Sequence, residues 1–225
     1  PSPEIARHFS AEVTIVDLSA VESDRPLTKA ERAKAVVDAA KSGKSVARLL
    51  AGDPLFDGEG TDEAAACAKA KIAFEIVPGV PVAAAVPTYA GIALTDAKHR
   101  EVRVVDVSST TPVPDWPSIA SGPQTLVLIG VDSFGAAADA LVQNGRSPDT
   151  AVTATRAGTT TQQHTVMSTL GSLAADAKTA GLIGPAVLVV GDVVKSRAAL
   201  SWFETKPLFG WHVLVPRTKE QAGVL

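Results

Sequence analysis

The sequence predicts an α/β protein of two α/β domains, the first built on a parallel sheet and the second on a mixed sheet. Three observations predict it. From Glu12 to Tyr89, β-like runs alternate with helical runs, the pattern of parallel strands covered by helices. After Thr95 the texture changes, and strand candidates outnumber helices. Each run is bounded by glycine, proline or a helix cap, so the elements are short and separate.

Glu12 to Leu18 is the first β-like run. Pro26 and Thr28 open a helix, and Thr28-Lys29-Ala30-Glu31 fits a capping box, in which hydroxyl and carboxylate satisfy end N–H groups reciprocally. The helix stops at Ser42-Gly43, where glycine can take the left-handed conformation. Ser45 to Leu50 is the second strand, cut short by Ala51-Gly52-Asp53-Pro54. Thr61-Asp62-Glu63 starts a helix with acidic residues at the positive end of its dipole. Phe74 to Val77 is the third strand, closed by Pro78-Gly79, and an Ala-rich helix runs from about Pro81 to Tyr89, with Pro87 expected to end or kink it.

Beyond residue 98, Val102 to Val107 and Leu126 to Ile129 read as strands, with a loop at Thr110 to Pro114 between them. Ser133 to Asn144 reads as a helix ended by Gly145. Ala151 to Thr155, His164 to Thr169, Ala186 to Val190 and Trp211 to Val215 are further strands. The expected divisions are residues 1–97, 98–204 and 205–225.

Composition narrows the function. Of the 225 residues, 46% are apolar, enough for a core, and 20% are charged. The net charge of −3 gives no global field favouring nucleic acid or anionic membrane, so neither is expected as a partner, and an anionic ligand needs a local basic cluster. The single cysteine, Cys67, excludes an intrachain disulfide framework and a multi-cysteine zinc site; it reads as a small buried hydrophobe. No metal site has the necessary spacing. No apolar run approaches the roughly 20 residues of a membrane span, and a cytoplasmic address is the expectation.

Val46 to Thr95 carries the chemistry. Gly52, at the end of one strand, lets a ligand approach backbone amides, and Asp53 can cap the turn or accept bonds from a ligand. Pro78-Gly79-Val80 repeats the device at the end of the next strand, and two such ends side by side make a crevice. His99 and His164 read as surface or satisfied histidines. Trp202, Phe203 and Trp211 read as interdomain packing.

The stretches Arg48 to Pro54, Phe74 to Val80 and Tyr89 to Thr95 resemble, in order and spacing, the tetrapyrrole methylases of the uroporphyrinogen-III C-methyltransferase kind. The resemblance resumes at Asn144 to Thr150, Ala157 to Gln163, Thr169 to Leu173 and Val190 to Val194, covering most of residues 2–203. The tail from Gly210 to Ala222 resembles the opening strand of uroporphyrinogen-III synthase, so the whole looks like the actinobacterial methylase–synthase fusion.

The resemblance implies S-adenosylmethionine as cofactor, bound in a cleft between two α/β domains, and uroporphyrinogen III, a small-molecule tetrapyrrole, as methyl acceptor on the way to precorrin-2. A homodimer is expected by the same likeness. Matching positions assign cofactor contacts to Ala51, Gly52, Asp53, Phe56, Pro81, Val82, Ile129 and Gly158. The substrate is a polycarboxylate, and Arg25, Arg48, Arg100 and Arg156 are its candidate partners; Arg103 is a further one by location.

Several positions depart from the pattern. The family's first strand and glycine-rich turn have no counterpart before Pro1, so the first subdomain is expected to lack that strand. Leu18 stands near the place of a family lysine, Ala51 replaces a glycine, Pro81-Val82 replaces Thr-Ala, and Ile129 replaces methionine. Val107-Ser108-Ser109 stands where the family has a Thr-Gly-His turn. No catalytic residue is assigned. Two readings remain: an active methyltransferase, and a methylase-like binding or scaffold module beside a synthase domain.

Overall fold

A computed structural model of the chain describes residues 8–10, 12–18, 27–58, 60–108, 113–122 and 124–211. The chain divides into two compact units, Pro1–Val82 and Ala83–Leu225.

The described part of the first unit is built on two helices, α1 (Lys29–Lys41) and α2 (Thr61–Lys69). The capping box of α1 forms as the sequence predicts: Glu31 N donates to Thr28 Oγ1 at 3.2 Å, and Thr28 N donates to Glu31 Oε2 at 2.8 Å. Gly43 ends the helix with φ +83. Cys67 of α2 is buried, as its reading as a hydrophobe requires. Glu63 is also buried, at 5% exposure, and Arg48 Nε lies 2.8 Å and Arg32 Nε 3.8 Å from its carboxylate. A carboxylate removed from water is tolerated when paired in this way.

Three sequence expectations change here. Glu12 to Leu18, Ser45 to Leu50 and Phe74 to Val77 carry no strand hydrogen-bond ladder, so the described residues of this unit contain no parallel sheet. Their β-branched and aromatic residues favour extended backbone, but a strand needs a paired neighbour, a property no single run encodes. Phe74, Ile76 and Val77 accordingly remain exposed.

α3 (Val82–Tyr89), all but its first residue in the second unit, ends at Tyr89 as expected and contains Pro87. Proline removes one helical bond, the one toward Ala83, and the helix is short enough to continue one more half-turn. Gly91, with φ +73, closes it, and Ile92 N donates to Pro87 O at 2.8 Å.

The core of this unit is a five-stranded mixed sheet of β1 (Val102–Asp106), β2 (Thr125–Val131), β3 (Ala151–Arg156), β4 (His164–Thr169) and β5 (Ala186–Val190), in the order β1-β2-β5-β3-β4. β1 and β2 are parallel, with Val104 opposite Val127; the other neighbours are antiparallel, with Leu128 opposite Leu188 and Ala154 opposite Val166. The strands expected between residues 102 and 190 are all present, and the sheet is mixed as predicted. The helices are α4 (Trp116–Ala120), α5 (Phe134–Gln143), α6 (Leu173–Thr179) and, after a 3-10 turn at Asp192–Ser196, α7 (Arg197–Leu200). Of these only α5 was read from the sequence; the others span seven residues or fewer, too short for a helical period to register.

One core face gathers Leu126, Leu128, Leu188, Val190, Val152 and Ala154 under Ile119 of α4, Phe134 and Leu141 of α5 and Leu173 of α6. Val127, Val189 and Thr153, which alternate with them, are buried too, so the central strands are covered on both faces. The expected loop at Thr110 to Pro114 falls largely outside the described residues, as does the expected strand after Trp211. Among the described residues no helix is long and apolar enough to cross a membrane.

Candidate functional site

In the first unit the turn at residues 51–58 meets the segment at 78–81, and Asp53 joins them. Its Oδ1 accepts Leu55 N at 2.9 Å and Phe56 N at 2.8 Å, while its Oδ2 accepts Gly79 N at 3.0 Å. Hydrogen bonds from the Phe56, Gly79 and Leu55 amides favour the charged form and hold the Asp53 carboxyl below its ordinary value of 3.8. Asp53 is thus a clip between two segments distant in sequence, with both oxygens engaged.

The glycines explain how the two segments come so close. A Cβ on Gly79 would collide with the carbonyl oxygen of Gly52. Gly52 itself has φ +71, and a Cβ there would strike the carboxylate of Asp57. Asp57 Oδ2 accepts Asp53 N at 2.7 Å, so a second carboxylate braces the same turn. Sequence reasoning missed Asp57; its position four residues after Asp53, within reach of the turn's amides, was the available signal.

Of the other expected cofactor residues in this unit, Ala51 and Phe56 are exposed, with Phe56 at 57%, and Pro81 and Val82 are half-buried at the start of α3. Leu55 and Val80 are also exposed, at 53% and 65%. The clip therefore presents ordered backbone edged with accessible apolar side chains. Pro81 lacks the backbone donor that any other residue would bring. Leu18 is half-buried and has no titratable group.

The second unit holds the remaining pair. Ile129 lies on β2, half-buried, and its carbonyl accepts Val107 N at 2.9 Å. It precedes Gly130, whose φ of +71 lets the strand bulge against Ser108. Gly158 sits in the turn from β3 to β4, where a Cβ would drive into the side chain of Val86 on α3. Ser109 lies outside the described residues.

The arginines separate into three groups. Arg25 lies outside the described residues. Arg48 is committed to Glu63 and also donates from Nη1 to Leu49 O at 2.6 Å; Arg103 is likewise engaged, by Ser118. Arg100, just before β1, and Arg156, at the end of β3, are exposed.

His99 is satisfied, with Nδ1 2.9 Å from Asp96 Oδ2. That contact, followed by the His99 and Lys98 amides, lowers the Asp96 carboxyl to about 2. Trp202 and Phe203, expected to pack between domains, meet Tyr89 with tilted and edge-on rings, centroids 5.2 and 4.7 Å away; all three lie in the second unit.

Glycine-braced turns carrying this ordered set of residues define a class. The model of the tetrapyrrole (corrin/porphyrin) methylases matches residues 2–174, and the chain belongs to that family. The chain is 34% identical over 200 residues to the S-adenosyl-L-methionine-dependent uroporphyrinogen III methyltransferase of Methanosarcina barkeri, covering 86% of this chain and 78% of the relative. It is 38% identical over 208 residues to siroheme synthase 1 of Klebsiella pneumoniae, covering 91% of this chain but only 43% of that longer protein. Its fold matches the crystal structure of uroporphyrin-III C-methyl transferase from Thermus thermophilus complexed with S-adenyl homocysteine, at 25% identity and a TM-score of 0.63, over 74% of this chain and 75% of that one.

Proposed function

We propose that this chain is an S-adenosylmethionine-dependent methyltransferase that C-methylates uroporphyrinogen III toward precorrin-2, in siroheme or cobalamin biosynthesis. Its family membership and its relatives support methyl transfer and this cofactor. The observation that carries the reading is the Asp53 clip, which joins the Gly52 turn to the Gly79 segment within a motif set matched across residues 2–174.

The residues present fit a nucleoside-bearing ligand. Gly52 and Gly79 leave two backbone segments in contact, and Leu55, Phe56 and Val80 offer exposed apolar surface beside them. The proposed cofactor contacts are Ala51 to Asp53, Phe56, Pro81, Val82, Ile129 and Gly158. When bound, S-adenosylmethionine supplies an electrophilic sulfonium methyl. The chain's share is to orient the acceptor carbon in line with that methyl and to exclude water, which accounts for most of the catalysis such a reaction needs. Methyl transfer from a bound cofactor would form a C–C bond at the expense of the S–CH3 bond, with S-adenosylhomocysteine leaving, and would require a base to take a proton from the pyrrole system. Arg100 and Arg156 are the proposed partners for substrate carboxylates.

The finer proposals are a soluble cytoplasmic homodimer and a parent protein that also carries uroporphyrinogen-III synthase. The fusion rests on the likeness of Gly210 to Ala222 to that enzyme's opening strand. The proposed layout is a methylase pair at 1–97 and 98–204, followed by a linker and synthase strand at 205–225.

Leu18 and Pro81 support a second reading, a module that binds without turnover, because one lacks a titratable group and the other an amide donor. Calorimetric titration with S-adenosylhomocysteine tests the first step of both. Micromolar binding that Gly79→Ala weakens more than tenfold, about 1.4 kcal/mol or more, is expected. Absence of binding by the intact protein would overturn the cofactor assignment.

A further inference from the structure

The turn that carries Gly158 is held in an unusual conformation. Ala157 and Thr159, on either side of it, have φ of +48 and +70. Left-handed backbone is unfavourable for a residue with a Cβ, and most of all for a β-branched one. Such a turn persists where its surroundings over-determine it.

The surroundings here form a chain of side-chain hydrogen bonds. Thr159 N donates to Gln163 Oε1 at 2.8 Å. The other end of that amide, Nε2, donates to Glu204 Oε1 at 2.7 Å, and Thr165 Oγ1 donates to the same oxygen at 2.6 Å. Glu204 Oε2 accepts Arg197 Nη2 at 2.5 Å, and Arg197 Nη1 donates to the carbonyl of Ala90, just after α3. Gln163 is buried at 3% exposure, and the side chains of Arg197 and Glu204 are 11% and 15% exposed. The set thus runs from the end of α3 to the Gly158 turn, which also rests on Val86 of that helix.

An ionised carboxylate only accepts hydrogen bonds. Glu204 therefore decides which way the Gln163 amide faces: nitrogen toward itself and oxygen toward Thr159. A flipped amide would set oxygen against oxygen at one end and N–H against N–H at the other. We propose that Glu204, held by Arg197, is a positioning residue that orients Gln163 and so locks the Gly158 turn in its cofactor-binding conformation. This rests on the reading of Gly158 as a cofactor contact. Glu204 acts through Gln163 and touches no ligand itself.

The test compares the intact protein with Gln163→Glu and with the exchanged pair Gln163→Glu/Glu204→Gln. In the single variant two carboxylates face each other. In the exchanged pair the new carboxylate at position 163 still accepts from Thr159, and the new amide at position 204 can donate to it and accept from Arg197. The readouts are the S-adenosylhomocysteine dissociation constant, the separate KM values for S-adenosylmethionine and tetrapyrrole, and hydrogen–deuterium exchange of the peptide spanning residues 157–163.

The single variant is expected to bind S-adenosylhomocysteine about tenfold more weakly, to raise the S-adenosylmethionine KM with little change in the tetrapyrrole KM, and to exchange faster at the turn. The exchanged pair is expected to recover affinity to within about threefold of the parent. Should Gln163→Glu fail to fold, Gln163→Met, which deletes both bonds without adding charge, carries the same expected losses. Unchanged affinity and exchange in the single variant would overturn the proposal, as would equal losses in both variants with a parallel fall in melting temperature. If the parent protein binds no S-adenosylhomocysteine, the proposed function fails instead, and the exchange data alone then decide whether Glu204 locks the turn.

Discussion

At the scale of single residues, Asp53 and Arg48, both read as ligand contacts, also bond within the protein. Asp53 was legible as important because it follows glycine at a strand-like end, but its partner Gly79 lies far along the chain and no local pattern names it. Its low pKa has a consequence for acid stability. A carboxylate whose folded pKa lies below its ordinary value stabilises the fold above about 3.8 and loses that contribution as pH falls through the folded value. Asp96, lowered to about 2 chiefly by His99, behaves alike, so the acid limb attributable to it should run from 3.8 down to about 2. Melting temperatures measured over that range should fall less steeply in Asp96→Asn than in the parent, relative to each protein's value at neutral pH. Arg48 makes the same point about binding candidates. Its replacement by Met leaves Glu63 buried beside Arg32 alone, and chemical denaturation should show a loss of about 3 kcal/mol, the lower end for breaking a buried pair. Arg100 and Arg156 have no such duty in the proposed reading. Alanine at either should raise the tetrapyrrole KM and leave S-adenosylhomocysteine affinity unchanged, as steady-state kinetics and calorimetry would show.

At the scale of elements, capping chemistry was the most faithful guide. Thr28 with Glu31, and Ser133 before α5, place helix starts where the sequence sets them. The strands of the second unit were equally legible, because their apolar runs are bounded by glycine and proline. The same signals failed at Glu12 to Leu18, Ser45 to Leu50 and Phe74 to Val77, where extended segments carry no ladder among the described residues. Composition determines whether a segment can be a strand; a neighbour determines whether it is one. The short helices α4, α6 and α7 escaped notice for a different reason, since they span too few turns to show a period. The energetic weight lies in the second unit's sheet. Leu128 is fully buried between β5 and the helices, and Leu128→Ala should lower that unit's stability by about 3 kcal/mol in urea unfolding, a transfer and cavity loss.

At the scale of the whole molecule, the family was legible where individual residues were not. Each motif is short, but their order along the chain matches the methylase model over residues 2–174. The candidate site was legible in part: Gly52, Asp53 and Gly158 were read from matching positions, whereas Asp57, Gln163 and Glu204 emerged from three-dimensional contacts. The reason is physical, since a braced turn depends on partners brought in by the fold. Methyl transfer by the intact protein is the direct test. With uroporphyrinogen III and S-adenosylmethionine labelled in its methyl group, label is expected to appear in precorrin-2, at a rate that Gly158→Ala lowers at least tenfold by driving a Cβ into Val86. A folded parent protein that binds both compounds yet transfers no label to the tetrapyrrole would contradict the proposed function.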